Sequence, residues 1–263
     1  MFSTTPVLAT ESVPQRIITL SPHLAEIVTL LGAGDELLGV AEHSDYPEQV
    51  KNIQRIGGAA GLDVERILTI KPDIILAWQG GTRESDIAKL KQLGFRVVSI
   101  KSETLEDIPD SIKRLGKLLS RQQQSSKLIS EFKAHQKQIL EKYGNISEHR
   151  FFIEISSQPL MVLSNRHSFG AGLGLCNLKN IFADEKQAAI IVDLESILSQ
   201  DVELILLRNS VADDALELAA RKSFYQINGG SKASMISFNE DAAFRQTPRL
   251  LDAVEEVCRK VQG

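Results

Sequence analysis

The residues of this chain best equipped for chemistry are five histidines, His23, His43, His135, His149 and His167, and two cysteines, Cys176 and Cys258. One group of zinc metalloproteases carries two histidines a helical turn apart with the general-base glutamate between them, and here no H-E-x-x-H or other close pair occurs. His135 falls inside a long helical stretch and His149 at its end, which reads as solvated surface. A fold could gather His23, His43 and His167 in one cleft, although surface or helix-capping positions account for them more simply. Two cysteines without a C-x-x-C support neither a redox motif nor a zinc knuckle. They fit one disulfide in an oxidising compartment, or two inert core thiols in a reducing one. Gly170, Gly172 and Gly174 have the wrong spacing for a dinucleotide fingerprint. No G-x-S-x-G elbow, P-loop or kinase signature is present. Catalysis has no positive support, and no metal site of the protein's own is expected.

The elements that would have to position a binding site are easier to read. Residues 64–76, V-E-R-I-L-T-I-K-P-D-I-I-L, recur as 194–206, L-E-S-I-L-S-Q-D-V-E-L-I-L, half a chain length later. Glu65/Glu195, Ile67/Ile197, Leu68/Leu198, Ile75/Ile205 and Leu76/Leu206 are identical, while Thr69/Ser199, Asp73/Glu203 and Ile74/Leu204 nearly match. Each copy begins as a short amphipathic helix. Lys71-Pro72 breaks the first, and Asp201-Val202 fills that place in the second. Each copy ends in an apolar run, Ile74–Ala77 or Leu204–Leu207, of the kind found in buried parallel strands. A helix feeding a buried strand is half of a βαβ unit, so two copies predict two similar α/β lobes.

Around the first copy, strands are predicted at Arg16–Leu20, Leu37–Val40 and Arg96–Ile100. Helices are predicted from Ser21-Pro22 to Leu31 and from Asp86 to Leu93. The loops Glu42–Pro47 and Trp78–Gly81 follow strand ends, where open α/β sheets bind ligands, and the Gly57–Gly61 loop leads into the first copy. Residues 105–145 read as one or two helices, the last long, with Leu128, Phe132, Ile139 and Leu140 on one face. In the second half, strands are predicted at Arg150–Ile155 and Met235–Phe238. The Gly170–Gly174 run is predicted to open a helix containing Cys176, and Pro248 a final helix bearing Cys258. The expected division is a tail over 1–14, an N-terminal lobe over 15–104, a linking segment over 105–145 and a C-terminal lobe over 146–263.

The chain has 263 residues, 43% apolar and 24% charged, enough material for a sizeable core. A net charge of −4 argues against nucleic acid or an anionic membrane as the main partner. No apolar run reaches membrane-spanning length. The first fourteen residues lack a basic start and a full apolar segment, so they are expected to be a flexible tail rather than an intact signal peptide.

Several segments together resemble the class III solute-binding proteins of ABC importers. They are R-I-I-T-L-S-P-H-L-A-E (16–26), G-V-A-E-H-S-D-Y-P (39–47), G-L-D-V-E-R-I-L-T-I-K-P-D-I-I-L-A-W-Q-G-G (61–81), L-G-F-R-V-V-S-I (93–100), N-I-F (180–182), the second repeat copy and F-R-Q-T-P-R (244–249). The resemblance implies two Rossmann-like lobes joined by a single long α-helix, with a ligand cleft between them and no catalysis. It implies a periplasmic monomer that carries a corrinoid such as cobalamin to an importer permease dimer, with haem or a ferric siderophore as the alternative ligand. On this resemblance Tyr46, Trp78, Met161, Asp241 and Arg245 match ligand-lining positions. His43, beside Tyr46, could ligate a metal in the ligand or simply bond within its loop. Glu65 and Glu195 match permease-docking positions, and also stand where a carboxylate favours a helix N-terminus. Cys176 and Cys258 match a disulfide pair. The corrinoid-binding branch is expected to carry a tryptophan in the Gly57–Gly61 loop and another near Ala188–Ile191, and this sequence has neither.

Overall fold

Both copies of the repeat fold as a short helix followed by a buried strand, and each supplies the centre of its own half of the chain. The computed structural model describes residues 13–58, 60–227 and 233–263. Most of the tail expected over 1–14, and Ala59 of the Gly57–Gly61 loop, lie outside these. Two compact units result. One takes the described residues up to Ile100 together with Lys113–Ser125, the other Lys101–Ile112 and Ser126–Gly263.

The first unit contains β1 (Ile17–Thr19), α1 (Pro22–Leu30), β2 (Leu37–Val40), the short β3 (Gly57–Gly58) and β4 (Gly61–Leu62), α2 (Val64–Ile70), β5 (Ile74–Trp78), α3 (Glu84–Gln92) and β6 (Val97–Ile100). Four strands form a parallel sheet in the order β2-β1-β5-β6. β5 lies between β1 and β6, and its residues 74–77 are buried whichever face of the sheet they point to, as the sequence predicts. Ile18, Ile67, Ile75 and Leu90 meet in one core cluster. Lys71 ends α2 in the left-handed region, φ 52°, and Pro72 then bars continuation.

The segment over 105–145 forms two helices, α4 (Asp107–Leu118) and α5 (Gln122–Tyr143), and each gives residues to both units. On α5 the buried stripe is Phe132, Ile139 and Tyr143, whereas Leu140 is 52% exposed. Leu140 was expected on the buried face, but it lies one residue, about 100°, round the helix from Ile139. His135 is not plain surface either. Its Nε2 lies 2.9 Å from Glu255, clipping α5 to the last helix of the second unit.

The second unit continues with β7 (His149–Ser157), β8 (Leu160–Leu163), α6 (Ser168–Gly172), β9 (Leu178–Asn180), β10 (Ala189–Ile191), α7 (Leu194–Leu198), β11 (Leu204–Arg208), α8 (Asn209–Ala212), α9 (Ala215–Ile227), β12 (Ser234–Phe238), α10 (Glu240–Ala243) and α11 (Leu250–Gln262). Its sheet runs β10-β8-β7-β11-β12, with β9 also on β7, and β8 and β10 add antiparallel pairs. The glycine run does not open the helix: α6 is capped by His167, three residues before Gly170, it holds Gly170 and Gly172, and a 3-10 turn that includes Gly174 carries the chain on to Cys176. Cys176 and Cys258 form a disulfide with Cα atoms 5.8 Å apart, both fully buried.

The repeated acidic position has a structural reason. Asp73 accepts the backbone N–H groups of Gln15 and Arg16 at the head of β1, at 2.9 and 3.0 Å. Glu203 does the same for Arg150 in β7, and also holds His149 at 2.7 Å. His149, read from sequence as solvated, is therefore a half-buried strand anchor. Each carboxylate satisfies orphan donors where a central parallel strand begins.

Candidate functional site

Trp78 ends β5, and the next residues turn back under it. Thr82 closes the turn through a backbone bond to the Trp78 carbonyl at 2.9 Å, and its hydroxyl accepts the Trp78 N–H at 3.0 Å. A Cβ on Gly81 would sit 1.8 Å from the indole, so only glycine lets the ring lie against this backbone. His23, at the start of α1 and 3% exposed, also packs on the indole, in a T-shaped contact. β1 lies between β2 and β5, so the chain leaves β1 and β5 in opposite directions at this point. That divergence is where doubly wound sheets open a crevice.

The crevice is a pocket of about 480 Å³ within the first unit. Trp78, Leu20 and Leu62 line it, together with His43, Glu42 and the Arg83–Asp86 ion pair at 2.9 Å. His43 holds a left-handed backbone, φ 62°, in the loop after β2, a conformation histidine tolerates better than most residues. The pocket thus offers an indole, an imidazole and a charged pair, a lining that combines apolar surface with a few polar groups, as small-molecule sites do.

The structure brings His43 and Trp78 together in this pocket. Tyr46 stands further along the same loop, 40% exposed, and is not among the lining residues. In the second unit Met161 lies half-buried on β8, opposite Ile191 of β10. Asp241 and Arg245 are neighbours, at 3.8 Å, with the arginine nearly buried and the aspartate exposed. His167 accepts the Phe169 N–H through Nδ1 at 3.2 Å as the cap of α6, and its ring lies edge-on to Phe244. Burial pushes its pKa down to about 4. Elsewhere in this unit Glu154 is buried under α9, where Arg221 pairs with it at 2.9 Å and the Tyr225 hydroxyl donates to it. Burial raises its carboxyl above the usual range.

Sequence reading missed three features of these sites. His23 was taken as surface or cap, whereas it is packed against the indole. The Arg83–Asp86 pair went unnoticed, although an i,i+3 arginine–aspartate pair at a helix start is a recognisable signal. The caps of the repeated helices were also overlooked. Asp63 accepts the Arg66 N–H at 3.0 Å and Asp193 the Ser196 N–H at 2.7 Å. These aspartates, again matched between the copies, stand one residue before the segments compared. Glu65 and Glu195 are exposed second residues of their helices, free of the capping duty.

Doubly wound α/β units bind small molecules outside the carboxyl ends of their strands, where this pocket lies. The sequence profile of periplasmic binding proteins matches residues 17–227, and the chain belongs to that family. Among its relatives, the vitamin B12-binding protein of Vibrio cholerae is 32% identical over 259 residues, covering 98% of this chain and 93% of that protein. The vitamin B12-binding protein of Pectobacterium atrosepticum is 31% identical over 261 residues, covering 96% and 90%. The crystal structure of the periplasmic vitamin B12 binding protein of Vibrio cholerae matches with a TM-score of 0.81 at 31% identity, over 95% of this chain and 97% of that one. The periplasmic haem binding protein of the same species, at 16% identity and a TM-score of 0.79, shares the fold.

Proposed function

We propose that this protein captures a cobalamin-like corrinoid in the periplasm and delivers it to an ABC importer. The observation that carries this reading is the match, over nearly the whole chain, to proteins named for binding vitamin B12. The first-unit pocket supports it. The Trp78 indole suits the apolar face of a corrin ring, and the Arg83–Asp86 rim suits its amide edge. Tyr46, His43, Met161, Asp241 and Arg245 are the further ligand contacts in this proposal. Binding and release leave the ligand chemically unchanged, so the protein works without catalysis. It acts as a monomer, and Glu65 and Glu195 dock it on a permease dimer by pairing with arginines there.

The second reading is haem or a ferric siderophore. It is favoured by the lack of tryptophan in the Gly57–Gly61 and Ala188–Ile191 segments and by the imidazole of His43 at the pocket. Incubation with cyanocobalamin, haemin or a ferric siderophore, followed by desalting, separates the readings. The account expects stoichiometric retention of the cobalamin spectrum. Retention of the iron chromophore alone would favour the second reading, and retention of none by folded protein would overturn both.

A further inference from the structure

Core packing explains three of the five identities between the repeat copies and leaves two unexplained. Ile67 and Ile197 are 0% and 3% exposed, Ile75 and Ile205 are 0% and 2%, and Leu76 and Leu206 are both 0%. Each pair fills the core of its own unit. The other two identities lie on the surface. Glu65 and Glu195 are exposed, and Leu68 and Leu198 are 45% and 39% exposed. Residues three apart on a helix share a face, so each helix presents a glutamate and a leucine side by side. Neither glutamate has an ion-pair partner among the described residues, and Asp63 and Asp193 already cap the helices. Folding needs no exposed leucine here and draws on the carboxylates only through the helix dipole, yet both recur together, once per unit.

We infer that Leu68 and Leu198 are the apolar halves of two equivalent docking points, whose acidic halves are Glu65 and Glu195. Their partner carries, twice over, a cationic side chain beside an apolar pocket. On the reading that this protein feeds an importer, that partner is the permease dimer, whose two subunits supply the two copies. The carboxylate gives attraction and register, which salt screens. The leucine gives a contact that excludes water and withstands salt.

The test is the affinity of the ligand-loaded protein for the cobalamin importer of its own bacterium, held in nanodiscs, at about 50 and about 500 mM salt, a span over which exposed charge pairs lose most of their range. The Leu68→Ser, Leu198→Ser double variant should bind at least about tenfold more weakly at both salt concentrations, the cost of roughly 1.4 kcal/mol. The Glu65→Ala, Glu195→Ala variant should lose most of its affinity at low salt. Leu68→Gln with Leu198→Gln, which keeps side-chain length and helix propensity, should reproduce the leucine loss if the serine variant folds poorly. Parent-like affinity of the leucine variants beside weakened glutamate variants would overturn the inference and leave glutamate docking intact. Parent-like affinity of all variants would overturn both. A dimer of the parent in sedimentation that the leucine variants abolish would assign this face to a second copy of the chain, and also overturn it.

Discussion

The ring of His23 meets the indole of Trp78 edge-on, with centroids 5.1 Å apart and planes at 88°. The contact joins the start of α1 to the end of β5 across the point where the sheet changes direction. Together with the close approach of Gly81, it restrains the indole. An aromatic held this way can meet a ligand without first losing rotamer freedom, which is how preorganisation raises affinity.

Trp78 is the chain's one tryptophan, so its fluorescence reports this pocket alone. Trp78→Ala should weaken ligand binding by about 1–3 kcal/mol with little loss of melting temperature. His23→Ala should broaden or shift the Trp78 emission and weaken binding, and His23→Phe, which keeps an edge-on ring, should restore both. Fluorescence of the variants with and without ligand checks this. A large fall in stability with unchanged affinity would make Trp78 a core residue instead.

The cap of α6 gives a pH dependence. His167 must be neutral for Nδ1 to accept the Phe169 N–H, and burial lowers its pKa from 6.5 to about 4. Between these values the unfolded chain binds a proton that the folded chain refuses. Stability is therefore full above about pH 6.5 and falls as the pH drops toward 4, by roughly 2–3 kcal/mol from this group. His167→Asn keeps a capping side chain without the titration. Urea unfolding across this range should show a flatter pH profile for the variant than for the parent.

The Cys176–Cys258 bond closes a loop with a sequence separation of 82 between the turn after α6 and the last helix. Closing such a loop contributes about 4 kcal/mol in chain-entropy terms, often less in practice. Replacing both cysteines by serine should lower the urea midpoint accordingly while the folded variant still binds ligand, since neither buried cysteine is among the proposed contacts. Mass spectrometry of unreduced protein should find no free thiol, and two free thiols would contradict the assignment.

The matched helix caps separate fold from docking. Asp63→Ala or Asp193→Ala should each cost about 1 kcal/mol of stability, because each leaves a helix-start N–H without its acceptor. Glu65→Ala and Glu195→Ala should cost less, since those carboxylates act only through the helix dipole, roughly 0.3–1 kcal/mol. Denaturant titration of the four variants ranks them, and an equal loss at the glutamates would make them structural residues.

What could be read from the sequence follows what the core demands. Ile67, Ile75, Leu76 and their counterparts had to be apolar at fixed spacing, so the repeat announced both parallel strands and the helices before them. Trp78 could be found because it follows such a strand directly. β9 and β10 went unread, since they lack the fully buried run that marks the equally short β1. α8 and α9 were missed although the sequence carries a start signal for α9: Asp214 accepts the Leu216 and Glu217 N–H groups at 2.9 and 3.0 Å. His23 was misjudged because its burial depends on an indole 55 positions away in the chain, a contact that no local pattern encodes.

Titration with cyanocobalamin, followed by calorimetry and by Trp78 fluorescence, tests the central claim most directly. The account predicts one site per chain, a dissociation constant of about 1 μM or tighter, equivalent to roughly 8 kcal/mol, and quenching that saturates with the heat. The absence of heat and of quenching with cyanocobalamin, while haemin or a ferric siderophore saturates the same protein, would contradict it.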